Sequence, residues 1–294
     1  MNPPPAPPPP PAPPPRHSVA RVIAAALEED LGSAGDLTTD AAIPPGTHAT
    51  GLVVARAAGT IAGLTLACEV FDHLPGEVDV EVAVTDGTTV TAETTLARLK
   101  GCARTILTGE RTALNLLGHA SGIATATRGV VDALEGLATT VADTRKTTPG
   151  LRAIEKYAVR CGGGRNHRFG LHDAVMLKDN HLVAAGSIGA AVERVRAAVG
   201  HTVSVTVEVD RLDQIDDALS AGADVLLLDN LDADVLAEAV DLVGGRAVTE
   251  ASGGITPDRA RALAEAGVDV VSLGWVTHSA PRLDVALDLT LTRD

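Results

Sequence analysis

Val-Thr-Val-Glu at 205–208, Leu-Leu-Leu-Asp at 226–229, Val-Thr-Glu at 248–250 and Val-Val-Ser-Leu-Gly at 270–274 follow one another at a steady interval. Each is a mainly apolar run that finishes on a functional group or a glycine. Between them lie helical patterns at 211–221, 232–243 and 257–266, the last with Thr256 as cap and Pro257 at the first helical position. The rhythm extends upstream. Strand-like runs are expected at 140–143, 174–178, 203–209, 224–229, 246–250 and 268–273, with a further helix at 187–199. Six such βα repeats imply parallel strands joined by right-handed crossovers, in either a doubly wound sheet or a barrel. The strand ends decide. Asp143-Thr144-Arg145-Lys146, Lys178-Asp179-Asn180, Glu208, Asp229-Asn230, Glu250 and Gly274 place polar groups or glycine at the carboxyl end of one strand after another. A barrel points all of those ends at one axis, whereas an open sheet gathers them at a single switch point. An incomplete parallel α/β barrel of about six strands is the expected fold of the C-terminal part.

The first of these ends opens a cationic stretch. Between Asp143 and His181 lie eight of the chain's 24 Lys and Arg, although the formal net charge is −14. Cations concentrated inside an acidic protein mark a pocket for a small, multiply charged anion; nucleic acid would call for a broad basic face. Gly162-Gly163-Gly164 lets backbone pass close to a bound group. Arg145, Lys146, Arg168 and Lys178 supply forks and point charges for carboxylates or phosphates. Ser252-Gly253-Gly254 before a helix, with Gly274 ending the next strand, suits a phosphate held by backbone N–H groups. Glu208 and Asp229 end apolar strands, where a carboxylate is costly without a partner. That partner is either one of the pocket cations or a substrate hydroxyl with Mg²⁺, and two acids here would also stabilise positive charge developing on a ribosyl carbon. His167, His172 and His181 follow no zinc-ligand spacing. His167, beside Arg168, reads as a hydrogen-bond donor in the pocket, and Cys161 reads as structural.

Bulk properties agree. Hydrophobic residues make up 45% of 294, while Phe71, Tyr157, Phe169 and Trp275 are the only aromatics, so Ala, Val and Leu must build the core. The scarcity of aromatics argues against single-stranded nucleic-acid binding. Cys68, Cys102 and Cys161 form no CxxC pair, which points to a reducing, cytoplasmic setting. No apolar run is suited to spanning a bilayer, and no signal peptide is expected.

Residues 1–15 hold 11 of the 17 prolines and read as a solvated polyproline tail, which sets the first boundary at 1–16. Helical pattern begins at Ser18, Gly35–Asp40 reads as a polar loop, and strands are expected at 50–57, 78–84 and 95–100. Helices are expected near 63–73 and over 103–135. Residues 17–120 thus form an N-terminal α+β sandwich domain, 121–280 the barrel and 281–294 a C-terminal helix.

The motifs together resemble one family, quinolinate phosphoribosyltransferase, over nearly the whole chain beyond the tail. They are Gly35-Asp36-Leu37-Thr38-Thr39, Glu110–Asn115, Ser121–Thr125, Thr144–Gly150, Gly162–Arg168, Leu177–His181, Leu228-Asp229-Asn230, Ser252-Gly253-Gly254 and Thr277-His278-Ser279. Trp275 departs from the family pattern, in which a small residue commonly follows the glycine. The resemblance implies a cytoplasmic homodimer with active sites shared between subunits, Arg111 reaching in from the neighbour. It implies that quinolinate is bound by Arg111, Arg145, His167, Arg168 and Lys178. It implies that phosphoribosyl pyrophosphate is bound around Thr144, Lys146, Glu208, Asp229, Ser252, Gly253, Gly254, Leu273, Gly274 and Trp275. Mg²⁺ would sit on the pyrophosphate near Glu208 and Asp229, and Lys146, Lys178, Glu208 and Asp229 would be catalytic. The implied reaction yields nicotinate mononucleotide, pyrophosphate and CO₂, with no nucleic-acid or membrane partner. Three rivals stand beside it: a Schiff-base aldolase using Lys178, the same fold with another substrate as in homologues tied to molybdenum transport, and a non-catalytic scaffold using the proline tail.

Overall fold

The computed structural model describes residues 11–291. Along the chain run α1 (Arg16–Leu31), α2 (Leu37–Ala42), β1 (His48–Ala55), β2 (Gly59–Thr60), α3 (Leu64–Cys68), β3 (Val78–Val82), β4 (Thr89–Val90) and β5 (Thr94–Cys102). Next come α4 (Ala103–Ala133), β6 (Thr140–Ala142), α5 (Arg152–Cys161), β7 (Val175–Leu177), α6 (Asp179–Ala185), α7 (Ile188–Ala198), β8 (Val205–Val209) and α8 (Ile215–Ser220). The remainder is β9 (Val225–Asp229), α9 (Ala233–Val243), β10 (Val248–Ser252), α10 (Pro257–Glu265), β11 (Val270–Ser272), α11 (Trp275–His278) and β12 (Val285–Leu291). Two compact units result. The first takes the described chain up to Arg128, Thr148–Gly163 and the segment from Ser279 onward; the second takes Gly129–Thr147 and Gly164–His278.

The first unit is built on an antiparallel sheet in the order β12-β1-β5-β3. The expected helix over 281–294 is therefore corrected to a strand across its described part. Val-Ala-Leu-Asp-Leu-Thr-Leu alternates with period two, and it pairs with β1 in the register Gly51↔Leu289, Val53↔Leu287 and Ala55↔Val285. Arg56 ties the pairing, reaching Asp288 at 2.6 Å and Glu93 at 2.7 Å. The lead-in to β12 lies against α4 because α4 carries Gly122 there: a Cβ at that position would sit 2.1 Å from the Pro281 carbonyl oxygen. Two further expectations change. Gly35–Asp40 is not all loop, since Asp36 caps α2 by accepting from the Thr39 N–H at 2.9 Å. The tail is not solvated throughout 1–16 either. Pro14 is buried, Arg160 donates to the Ala12 carbonyl at 2.8 Å, and helix α1 starts at Arg16; residues 1–10 lie outside the described part. The first unit also takes in α5, whose Tyr157 hydroxyl donates to Asp86 at 2.7 Å.

The second unit carries the expected parallel sheet, with six strands in the order β6-β11-β10-β9-β8-β7. Apart from the unclosed step between β6 and β7, each strand pairs with its neighbour in sequence, and β11 returns to pair with β6. That is the topology of an incomplete barrel. Beside β6, at the gap, Arg165 forms a parallel bridge with Ala142: its N–H donates to the Val141 carbonyl and its carbonyl accepts from the Asp143 N–H. The strands alternate as period two requires. Val205, Val207 and Val209 are buried on one face of β8 while Thr206 and Glu208 take the other, and Leu226 and Leu228 alternate with Leu227 and Asp229 on β9. Thr256 caps α10 through the Arg259 N–H, with Pro257 at its first position, as expected.

Candidate active site

A cavity of about 590 Å³ opens at the carboxyl ends of the barrel strands. Its lining holds Thr144, Arg145 and Lys146 after β6, His167 and Arg168 beyond the glycine run, and Lys178 after β7. It also holds Asp229 at the end of β9 and Ser252, Gly253 and Gly254 after β10. Residues from both open edges of the sheet line one cavity, which requires the sheet to curl into a barrel.

Buried carboxylates organise the cationic wall. Asp143 is fully buried and accepts from the Asn166 side-chain amide at 2.6 Å and the His167 N–H at 2.8 Å. It thereby fixes the segment bearing His167 and Arg168. The His167 ring accepts at Nδ1 from the Arg168 N–H at 2.6 Å, so its proton resides on Nε2, which lies 3.3 Å from Glu250 Oε2. Arg168 spends one Nη1–H on the Ala174 carbonyl at 3.1 Å, which anchors the guanidinium and leaves other donors for a ligand. Burial, then the like charge of Arg145, lower the Arg168 pKa, although arginine stays protonated. Asp173 shapes the adjacent loop by accepting from the Phe169 and Gly170 N–H groups at 2.5 and 2.9 Å.

Lys178 donates to Glu208 Oε2 at 2.7 Å, with its side chain half exposed and that of Glu208 only 14% exposed. Glu208 itself stands behind Lys178 and is not part of the cavity lining. His181 closes the turn by accepting from the Lys178 N–H at 3.0 Å, which makes it a helix-capping residue. Asp229 accepts from the Asn230 side-chain amide at 2.5 Å.

The glycine-rich wall is closely fitted. Gly253 has φ 101°, and a Cβ there would fall 2.0 Å from Asn230 Oδ1, so only glycine is accommodated. Gly274 lies against the Lys146 stem, where an added Cβ would meet Cδ at 2.7 Å. Leu273 is buried, and Trp275 sends its indole N–H to the Ile255 carbonyl at 2.9 Å. Arg111 is exposed on α4 in the first unit.

The sequence pointed to most of the lining but gave no role to Asp143, Asn230 or Glu250. Glu250 had a signal, since it is in phase with Ser252 along β10 and thus faces the same interior. Asn230 was marked by its place at the end of β9, but its positive φ of 56° and its contact with Asp229 are properties of the folded loop. Forked cations facing carboxylates and an anion-seeking backbone make a site for a substrate with several negative charges.

Family models divide the chain as the motifs did. A model described as the N-terminal domain of quinolinate phosphoribosyl transferase matches residues 36–121, and one described as its C-terminal domain matches residues 123–288.

The chain belongs to this family.

A probable nicotinate-nucleotide pyrophosphorylase (carboxylating) of Bacillus subtilis is 43% identical over 90% of this chain and 91% of its own length. The nicotinate-nucleotide pyrophosphorylase (carboxylating) of Mycobacterium leprae is 44% identical over 90% of this chain and 94% of its own. Among solved structures, NadC from Streptococcus pyogenes superposes with a TM-score of 0.91 at 40% identity, covering 95% of this chain and 99% of that one. Within the quinolinate phosphoribosyltransferase family, the cavity of the second unit thus becomes the place to seek the chemistry. Among the described residues, no helix is long and apolar enough to cross a membrane.

Proposed function

We infer that this chain transfers the phosphoribosyl group of phosphoribosyl pyrophosphate to quinolinate and releases CO₂, forming nicotinate mononucleotide for NAD biosynthesis. The observation that carries this reading is the single cavity in which Arg145, His167, Arg168 and Lys178 face the backbone of Ser252-Gly253-Gly254. A dicarboxylate needs the first group, and a sugar phosphate needs the second.

The pyridine nitrogen attacks ribose C1 as the bond from C1 to the pyrophosphate oxygen breaks, and the electron pair leaves with pyrophosphate. The ring becomes a pyridinium. It then accepts the electron pair freed when the bond from ring C2 to its carboxylate breaks, CO₂ departs, and C2 takes a proton from solvent. No covalent enzyme intermediate is needed. Arg145, Arg168 and Lys178 orient the carboxylates; His167 contributes a directional contact. Lys146 and the glycine backbone hold phosphate, with Thr144, Leu273, Gly274 and Trp275 shaping that wall. Asp229 faces the ribose, where a carboxylate stabilises positive charge developing at C1. Glu208 acts through Lys178, holding its ammonium in place at 2.7 Å.

Mg²⁺ fits this donor set. Asp229 offers hard oxygen atoms in the lining, Glu208 is taken up by Lys178 outside it, and among the described residues no group of three or more His, Cys, Asp or Glu forms a protein-only metal site. Such an ion would be carried largely by pyrophosphate oxygens and water. When bound, it offsets negative charge on the leaving group.

A Schiff-base aldolase is disfavoured by the same ion pair. Lys178 donates to Glu208 at 2.7 Å and shares its cavity with Arg145 and Arg168, an arrangement that serves the binding of an anion rather than attack on a carbonyl carbon. We further propose a cytoplasmic homodimer in which Arg111 of one subunit serves the cavity of the other. Three free cysteines support a reducing compartment. Arg111→Ala and Lys178→Ala homodimers would each be nearly inactive, and re-pairing them should restore one intact site per heterodimer. Heterodimers verified by native mass spectrometry but without activity would refute the sharing. The activity itself is tested by release of radiolabelled CO₂ from carboxyl-labelled quinolinate. Release that does not depend on phosphoribosyl pyrophosphate would refute the reading.

A further inference from the structure

Two backbone carbonyls of the glycine-rich loop are tied from outside it. The Gly253 carbonyl accepts from Arg259 Nη1 at 3.2 Å, and the same guanidinium reaches the Leu231 carbonyl through Nη2 at 3.2 Å. The Ile255 carbonyl accepts from the Trp275 indole at 2.9 Å, from the far side of β11 in the sequence. Each peptide unit is a trans plane, in which the carbonyl of one residue and the N–H of the next point in opposite directions. Tying the Gly253 carbonyl to Arg259 therefore turns the Gly254 N–H away from Arg259, and tying the Ile255 carbonyl to the indole turns the Thr256 N–H away from Trp275. Gly253 and Gly254 both have positive φ, so this backbone path has little intrinsic preference of its own and depends on such ties.

We propose that Trp275 is a positioning residue whose indole N–H orients the Ser252–Thr256 loop for the phosphate of the sugar-phosphate substrate. This rests on the phosphoribosyl reading above. The indole is part-buried and its N–H is spent on a loop carbonyl, a role that a small side chain at 275 cannot supply. Trp275 is also the single tryptophan of the chain, so all tryptophan emission comes from the indole that holds the loop.

The test uses full-length enzyme with phosphoribosyl pyrophosphate as the probe. In the wild type, emission should change on titration and saturate with the binding isotherm measured by calorimetry. Trp275→Phe keeps an aromatic ring and removes the N–H. Its KM for phosphoribosyl pyrophosphate should rise about fivefold, the loss of one neutral hydrogen bond, while its KM for quinolinate stays unchanged. An unchanged KM for phosphoribosyl pyrophosphate, or an equal rise in both KM values, overturns the tether. Should Trp275→Phe not fold, the wild-type titration decides, and constant emission at saturation overturns the proposal. A wild type that neither binds phosphoribosyl pyrophosphate nor turns over would instead sink the parent reading and this proposal with it.

Discussion

Replacing Arg168 with lysine keeps a positive charge and removes a planar fork. Arg168 already donates from Nη1 to the Ala174 carbonyl at 3.1 Å, so the guanidinium is fixed in place and still presents other N–H groups to a carboxylate. A lysine has three donors on one nitrogen and cannot keep the Ala174 contact while gripping both oxygens of a carboxylate. Loss of one charge-assisted hydrogen bond costs about 1.5–3 kcal/mol, or about 10- to 150-fold in Kd for quinolinate. A second consequence follows from Arg145. Burial and that neighbouring charge already push the Arg168 pKa down, and a lysine there would respond to the same two causes more strongly. Its charge would be lost as pH rises, so the Arg168→Lys enzyme should bind quinolinate progressively less well toward alkaline pH, unlike the wild type at this position. Calorimetric titration of quinolinate at neutral and alkaline pH measures both effects. Wild-type affinity in the variant at neutral pH would refute the fork as the source of recognition.

Other expectations concern separate parts of the chain. Asp229→Asn keeps the shape beside Asn230 and removes the charge, so steady-state turnover should fall more than quinolinate affinity does; normal turnover would return Asp229 to a purely structural role. Hydrogen bonds from the Thr39 side chain and backbone hold the Asp36 carboxyl below its usual 3.8. A depressed folded pKa means that its stabilisation is complete above the unfolded value and lost as pH falls through the folded one. The difference in melting temperature between wild type and Asp36→Ala should therefore be constant near neutrality and shrink in acid, which thermal scans at several pH values would reveal. Burial pushes the Cys68 and Cys161 thiols up to about 12, while a hydrogen bond with Thr105 lowers that of the part-exposed Cys102. Iodoacetamide on the native enzyme should thus label Cys102 first, and mass spectrometry showing equal labelling of all three would contradict the packing.

The barrel was legible because two independent signals agreed in β8 to β11. Apolar runs recurring between helical patterns marked the βα repeats, and the terminal Glu208, Asp229, Glu250 and Gly274 set the functional end. Where a single signal had to serve, the outcome differed. The segment that forms β12 follows the catalytic repeats and by that position is expected to be a helix, yet its alternation belongs to a sheet whose partner, β1, lies near the other end of the chain. α2 is short and polar, so its cap at Asp36 carries more information than its hydrophobic pattern. At the site, side chains that meet the ligand by charge were legible in role as well as position, whereas for Asp143, Glu208 and Trp275 the position was legible and the holding role was not. Asp143 works through the backbone N–H of His167, and Trp275 through the backbone carbonyl of Ile255. Contacts to main-chain atoms leave no partner residue type to search for.

The pairing of β1 with β12 has a bearing on how the protein is made. Arg56 and Asp288, joined by an ion pair across that ladder, are 232 residues apart. At a synthesis rate of about 5–20 residues per second, β1 would wait roughly 10–50 s for its neighbour to leave the ribosome. Throughout that interval β1 has β5 on one flank and an open row of peptide groups on the other, the kind of edge that recruits foreign strands. The second unit, whose six strands lie between Thr140 and Ser272, faces a shorter delay, because β6 waits for β11 where Thr140 pairs with Val270, and it can complete its sheet while the first is still short of its last strand. Chaperone demand during expression should accordingly concentrate on the N-terminal sheet, and a circular permutant that brings β12 next to β1 in synthesis order should relieve it.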